Sequence, residues 1–269
     1  MAALPEGTPC WADAMFTDLE GAKAFYGDVL GWTFGESSSE FGNYTQAYSD
    51  GKAVAAIVPP MPGAEAQSAW CLYLASPDAA ATAERIRTAG GEVMMGPMTV
   101  GDFGTMVIAR DPGGVAFGVW QAGVHVGFEK QDAPGSYAWA EVITREPGKA
   151  DAFFPAVFPY NVQKMVGGDF DYRMFRVGDR PVLGRMGTEG AEGDFLPPEA
   201  PSYISVYFAV DDTDAAIGRL TARGGKVYFG PMDSPFGRFA AVGDPQGAAF
   251  GLIDLGRTVG ERPATESVR

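Results

Sequence analysis

Gly90–Trp120 reads GGEVMMGPMTVGDFGTMVIARDPGGVAFGVW, and Gly224–Ile253 reads GGKVYFGPMDSPFGRFAAVGDPQGAAFGLI. Both stretches set out, in one order, a Gly-Gly pair, an apolar run, Gly-Pro-Met, an Asp-Pro-x-Gly turn and Phe-Gly. The second is shorter by one residue, lost where the first has Gly101–Phe103. Agreement in both order and spacing marks a duplicated unit. Working outward, the match continues upstream at a constant offset of 128 residues. Trp11-Ala12-Asp13 answers Trp139-Ala140-Glu141, Phe25-Tyr26 answers Phe153-Phe154, Tyr44 answers Tyr172, and Val54 answers Val182. The chain is a tandem duplication, so any property of one half must be asked of the other.

Each half divides again. In the first, alternation predicts a strand over Cys10–Thr17, and Asp18 is placed to cap a helix over Leu19–Leu30 that Gly31 ends. Strands follow at Trp32–Phe34, Asn43–Tyr48 and Ala53–Val58, the last two turned at Asp50-Gly51. After a loop at Pro59–Ser68 the plan repeats: strand Trp70–Ala75, helix Asp78–Ala89, then strands Val93–Met95, Thr105–Arg110 and Val115–Trp120. The second half follows suit, with an internal loop at Gly187–Ser202. Each unit is βαβββ and there are four. The fold class is α+β: two tandem domains, each an open curved sheet of mixed and antiparallel strands with helices on its outer face. The expected division is residues 1–122, a linker at 123–135, residues 136–255, and a mobile polar tail at 256–269.

Composition narrows the function. The 269 residues are 46% hydrophobic, with no apolar run near the ~18 residues of a membrane span, and the N-terminal stretch does not read as a signal peptide. A cytoplasmic protein without membrane contact is expected. The net charge of −14 and the absence of clustered Lys and Arg argue against nucleic acid. Cys10 and Cys71 lack CxxC spacing and read as reduced thiols. The one histidine, His125, falls in the expected linker.

The strand–Asp–helix starts (FTDLEGAKAFYGDVLGW, AVDDTDAAIGRLTARGG) and the endings Asp111-Pro112-Gly113-Gly114 and Asp244-Pro245-Gln246-Gly247 resemble the vicinal oxygen chelate superfamily. That superfamily includes glyoxalase I, extradiol dioxygenases and bleomycin-resistance proteins. The resemblance runs from about Thr8 to Asp254 and is nearest the two-domain glyoxalase-like proteins of actinobacteria. It implies a divalent metal held by His, Glu or Gln from opening and closing strands. Here the opening-strand positions fall on Trp11, Cys71, Trp139 and Ser205, and the usual closing-strand glutamate falls on Gly118 and Gly251. The remaining closing strands, KAVAAIVPP and RPVLGRMGT, contain no His, Asp, Glu or Gln. No metal and no other cofactor is expected.

What remains is a set of aromatic and polar positions. Trp11, Tyr44, Tyr73 and Phe117 in the first half, and Trp139, Tyr172 and Tyr207 in the second, are expected to face a cleft. Gln46 and Met174 lie beside them, on strands that also carry Tyr48 and Arg176. Asp13 and Glu141, at equivalent positions, are candidates for acid–base work, or else are solvated or paired with an arginine such as Arg110. Phe103 and Phe236 lie at equivalent rims, and Arg238 beside Phe236 is placed to stack on a planar ligand or simply to face solvent. No nucleophile–base pair and no phosphate loop is present. The expected function is metal-independent binding of a small planar aromatic molecule, in self-resistance or aromatic polyketide biosynthesis, by a monomer or weak homodimer. The alternatives are a glyoxalase-like lyase or hydroxylase-type enzyme using Asp13 and Glu141 or an unrecognised metal, and a scaffold whose cleft has closed.

Overall fold

The computed structural model describes residues 4–60, 68–167, 170–190 and 193–268. Most of the expected loop Pro59–Ser68, and part of Gly187–Ser202, lie outside these. The first half contains β1 (Pro9–Met15), α1 (Leu19–Leu30), β2 (Thr33–Phe34), β3 (Thr45–Ser49), β4 (Lys52–Val58), β5 (Trp70–Ala75), α2 (Ala79–Thr88), β6 (Glu92–Val100), β7 (Gly104–Arg110) and β8 (Ala116–Ala122). The second contains β9 (Tyr137–Thr144), α3 (Pro147–Val157), β10 (Asn161–Val166), β11 (Tyr172–Val177), β12 (Arg180–Gly187), β13 (Glu189–Gly190) and β14 (Gly193–Asp194). It continues with β15 (Tyr203–Ala209), α4 (Thr213–Ala222), β16 (Lys226–Ser234), β17 (Gly237–Gly243), β18 (Ala249–Asp254) and β19 (Ala264–Ser267). Among the described residues no helix is long and apolar enough to cross a membrane.

Local chemistry sets the boundaries. The Asp18 carboxylate accepts from the Gly21 amide at 2.9 Å, and Gly31 takes φ 72° to end α1. Asp50 and Gly51 both have positive φ, 50° and 70°, which fits the turn to the twist of the β3–β4 hairpin.

The first sheet has the order β2-β3-β4-β1-β5-β8-β7-β6 and the second β16-β17-β18-β15-β9-β12-β11-β10-β19. In every unit the opening and closing strands run parallel, as β1 with β4 and β5 with β8, and the two units of a half join through antiparallel opening strands, β1 with β5 and β9 with β15. Both sheets curl until their edges approach. In the first, Phe41 beyond β2 meets Phe103 beyond β6 edge-to-face at 5.4 Å. In the second, Thr258 bridges Ser234 on one edge, and Ala264 pairs with Val166 near the other. A flat sheet would separate those edges by about 34 Å at ~4.8 Å per strand. The six residues after Thr258 span at most ~22 Å.

Helices cover the outer face of each sheet, and these covered faces meet. Phe25 and Tyr26 of α1 pack on Phe250 of β18 at 6.4 and 5.5 Å, while Phe153 and Phe154 of α3 pack on Phe117 of β8 at 5.9 and 5.6 Å. One continuous hydrophobic core therefore includes residues of both halves. Phe117 does not face the cleft as the sequence reading had it. Strand alternation puts Gly118 and Trp120 on the cleft side and sends Phe117 into the helix layer.

The linker and tail also depart from expectation. Phe128 and Glu129 donate backbone hydrogen bonds to Cys10 and Ala53, and the Trp32 indole donates to the Gly135 carbonyl at 2.7 Å. The supposed mobile tail supplies β19, a ninth strand on the edge of β10.

Candidate functional site

One side-chain constellation appears twice. On β1, alternation sets Trp11 and Asp13 on the cleft face. The Trp11 indole donates to the Tyr44 hydroxyl at 2.7 Å, and that hydroxyl donates to the Asp13 carboxylate at 3.1 Å. On β9, the Trp139 indole donates to the Tyr172 hydroxyl at 3.1 Å, which donates to Glu141 Oε1 at 2.7 Å. Tyr207 donates to Glu141 Oε2 at 3.1 Å. Tyr73 stands on β5 where Tyr207 stands on β15, opposite Trp11 and Trp139 respectively.

The Asp-for-Glu exchange is compensated across the sheet. Asp13 lies opposite Ala56 on β4, and Glu141 opposite Gly184 on β12. A Cβ at Gly184 would come within 2.2 Å of the Tyr172 hydroxyl and 3.0 Å of Glu141 Cγ. The longer acid needs the smaller neighbour.

Gly118 and Gly251 have a similar cause. Tyr73 and Tyr207 lie over them from the adjacent parallel strands, and a Cβ would fall 2.2 Å from Tyr73 Cδ1 or 2.1 Å from Tyr207 Cδ1. The tyrosine ring occupies the space in which a closing-strand glutamate would begin. Ala56 and Gly184 leave the other two closing strands equally without a donor. Each cleft thus offers one carboxylate and phenols that burial holds well above their usual range. Cys71, opposite Asp13, is likewise pushed up by burial, and the Asp13 charge adds to the shift. One carboxylate beside protonated phenols and a protonated thiol does not make the three or four ligands of a catalytic metal. Among the described residues, no three of His, Cys, Asp and Glu group as such ligands. The residues present do not fit the metal that the resemblance implies.

Both carboxyls are lifted. Burial raises Asp13 to about 6, against the pull of hydrogen bonds from Tyr73 and Tyr44. Burial also raises Glu141, against Tyr172, Tyr207 and Trp139. Among the described residues neither acid forms an ion pair. Arg110, the partner considered from sequence, forms an ion pair with Glu92 at 3.6 Å instead.

The two clefts differ in access. In the first, Trp11 is 4% exposed and Trp120 9%. His125 stands edge-on to Trp11 at 4.4 Å, Phe128 lies 5.5 Å from it, and the Trp120 indole holds the His125 carbonyl at 2.8 Å. The linker packs over the Trp11–Trp120 end of this cleft, where burial lowers the His125 imidazole, while Asp13, Tyr44 and Cys71 stay partly exposed. In the second, Trp139, Glu141, Met174, Tyr203 and Phe239 are all partly exposed, and Phe229, 6.1 Å from Phe239, is 52% exposed.

Of the residues singled out from sequence, Trp11, Tyr44 and Tyr73 gather around Asp13, and Trp139, Tyr172 and Tyr207 around Glu141. Met174 lies opposite Gly184 in that second group. Gln46 accepts from Tyr48 at 2.6 Å. Phe103 is spent on Phe41, and Phe236 lies under Arg262 at 5.6 Å. Arg238 is not free to stack on a ligand: it makes two 2.8 Å bonds to Asp214 and a third of 2.9 Å to Asp233. Sequence reasoning missed Phe239, Phe229 and Tyr203 on the second cleft and His125 in the first. The first three lay in strands whose alternation was there to be read; nothing local marked His125. A separate cavity of about 420 Å³, lined by Lys164, Phe170 and Glu266 among others, opens beside β10 and β19 and shares no residue with the Glu141 network.

Residues 11–119 match the family model described as Glyoxalase/Bleomycin resistance protein/Dioxygenase superfamily. Over 254 residues the chain is 38% identical to CFP32 of Mycobacterium tuberculosis, a protein named provisionally as a glyoxylase, covering 92% of this chain and 95% of that one. It is 36% identical over 269 residues to the anthracycline biosynthesis protein DnrV of Streptomyces peucetius, covering 95% and 96%. Among solved structures, the 2,3-dioxygenase LapB from Pseudomonas sp. KL28 superposes with a TM-score of 0.65 at 13% identity, over 98% of this chain and 95% of that one. The Mn(II)-bound glyoxalase from Novosphingobium aromaticivorans does so with 0.63 at 18%, over 94% and 85%. At those identities the likeness is one of fold.

Proposed function

We propose, for a chain that belongs to the glyoxalase/bleomycin resistance protein/dioxygenase superfamily, that it binds a small planar aromatic molecule without a metal, and does so in its second cleft. The observation that carries this reading is the replacement of the closing-strand donors by glycine under tyrosine, which exchanges a coordination site for an aromatic wall around one carboxylate. Aromatic walls with a few convergent polar groups suit flat organic ligands. The relative named as an anthracycline biosynthesis protein makes an aromatic polyketide or a related antibiotic the first class to test, in an accessory or self-resistance role. Titration with a panel of planar aromatic natural products, an anthracycline among them, should quench tryptophan fluorescence, and Trp139→Phe should remove most of the quenching. No quenching and no thermal shift across the panel would sink the reading.

A second reading rests on the Asp13 carboxyl near 6, a value that suits proton transfer at neutral pH. Turnover of methylglyoxal that survives chelator treatment and is abolished by Glu141→Ala or Asp13→Ala would establish metal-free catalysis. Stoichiometric metal in the purified protein, lost with activity on chelation, would defeat both readings.

A further inference from the structure

We propose that the ligand of the second cleft is a cation, a planar aromatic molecule carrying a protonated amine that seats against Glu141. This rests on the reading of that cleft as a binding site and names what the site selects. The Glu141 carboxylate lies on the cleft face of β9, with one oxygen bonded to Tyr172 and the other to Tyr207. A carboxylate offers about four acceptor positions, so these two phenols leave it undersatisfied as well as uncompensated in charge. Several other acids do hold an arginine: Asp151 and Asp171 hold Arg185, Asp214 and Asp233 hold Arg238, and Asp194 holds Arg145. Among the described residues no Lys, Arg or His pairs with Glu141, and the excess of acids over bases, 34 to 20, leaves it none to spare.

The surroundings favour the same charge. Trp139, Tyr172 and Tyr207 hydrogen-bond directly to the carboxylate or to its phenol partner, and Phe239 lies 6.4 Å from Tyr207. Ring faces attract cations through their quadrupoles, and more strongly where water is excluded. A neutral hydroxyl could also bond Glu141, but it would leave the negative charge in place. An anionic ligand would meet repulsion from that charge and from the net −14 of the chain. An ammonium offsets the burial cost that lifts this carboxyl, fills a vacant acceptor and uses the rings.

Matched probes decide it. 1-(Aminomethyl)naphthalene is planar in its rings and carries a protonated amine at neutral pH; 1-naphthalenemethanol is of the same size, donates a hydrogen bond and is neutral. By isothermal calorimetry the cation should bind at least about tenfold more tightly, the order of one buried charge contact. Glu141→Gln should bring the two affinities together. Glu141→Asp, which keeps the charge, should keep the preference. Equal affinities in the wild-type protein, or a preference unchanged in Glu141→Gln, would overturn the cation while leaving an aromatic-binding cleft. If neither probe nor any member of the natural-product panel binds, both readings fall. Should Glu141→Gln not fold, the wild-type comparison and Glu141→Asp still decide.

Discussion

Tyr26 and Phe154 stand at equivalent places in the duplication and face equivalent Asp-Pro turns across the centre of the molecule. The Tyr26 hydroxyl donates to Asp244 Oδ2 at 2.8 Å, while Oδ1 of that residue takes the amides of Gln246 and Ala248. Asp111 takes the Gly113 and Val115 amides in the same way, but its Oδ2 is buried without a partner. At the position equivalent to Tyr26, Phe154 carries no hydroxyl. Phe154→Tyr should stabilise the protein by about 1 kcal/mol, the usual net worth of a hydrogen bond, as read from the denaturant midpoint; a loss of stability would show that the two turns are not equivalent. At Gly118 the expected sign is reversed. Alanine there would drive its Cβ into Tyr73, and the overpacking should cost about 1–3 kcal/mol. Asp13 adds a pH dependence. Its folded value near 6 lies above the ordinary 3.8, so the folded state binds the proton more tightly than the unfolded chain. Stability from this group is full below about pH 4 and declines as pH rises through 6. Asp13→Asn should therefore gain on the wild type between pH 4 and 7, by up to about 3 kcal/mol. A difference that stays flat with pH would show that Asp13 titrates normally.

At the scale of elements, what the sequence disclosed and what it hid follow from the range of the interactions. Alternation, the Asp18 cap and the Asp50-Gly51 turn are local, so α1 and β5 are found with the bounds the sequence predicts. The tandem offset pairs Trp11, Asp13 and Tyr44 with Trp139, Glu141 and Tyr172, and these are the members of the two constellations. The reason for Gly118 and Gly251 was out of reach, because it lies in a tyrosine about forty-five residues away across a parallel pair. The linker was the larger miss. Its polar, glycine-containing composition reads as a connector, yet His125 and Phe128 pack on Trp11 through contacts no local pattern encodes. Replacing His125 by alanine should uncover the first cleft, raising acrylamide quenching of Trp11 and Trp120 at a cost of about 1–2 kcal/mol from lost packing. Quenching equal to wild type would mean that Phe128 and the backbone alone close it. The tail misled for a similar reason: β19 is charged and short, and only the free edge of β10 makes it a strand.

At the scale of the molecule, the duplication matters because the halves exchange their packing. A helix of the first half covers Phe250 of the second, and a helix of the second covers Phe117 of the first. Trp32 and Trp70 meet Phe208 at 5.1 and 4.9 Å, and Arg219 of α4 bonds the carbonyls of Asp28 and Val29 at the end of α1. Neither sheet completes its outer core alone, so each half expressed separately would expose a layer of Phe, Tyr and Trp that burial normally removes from water. The full chain should therefore unfold in a single cooperative transition, with tryptophan fluorescence and far-ultraviolet circular dichroism changing together. Residues 1–135 produced alone should aggregate or remain partly folded, and mixing them with residues 136–269 should restore native spectra. A first half that folds as a stable monomer would show that its helices can seal its own sheet, and that the shared core adds strength without being required.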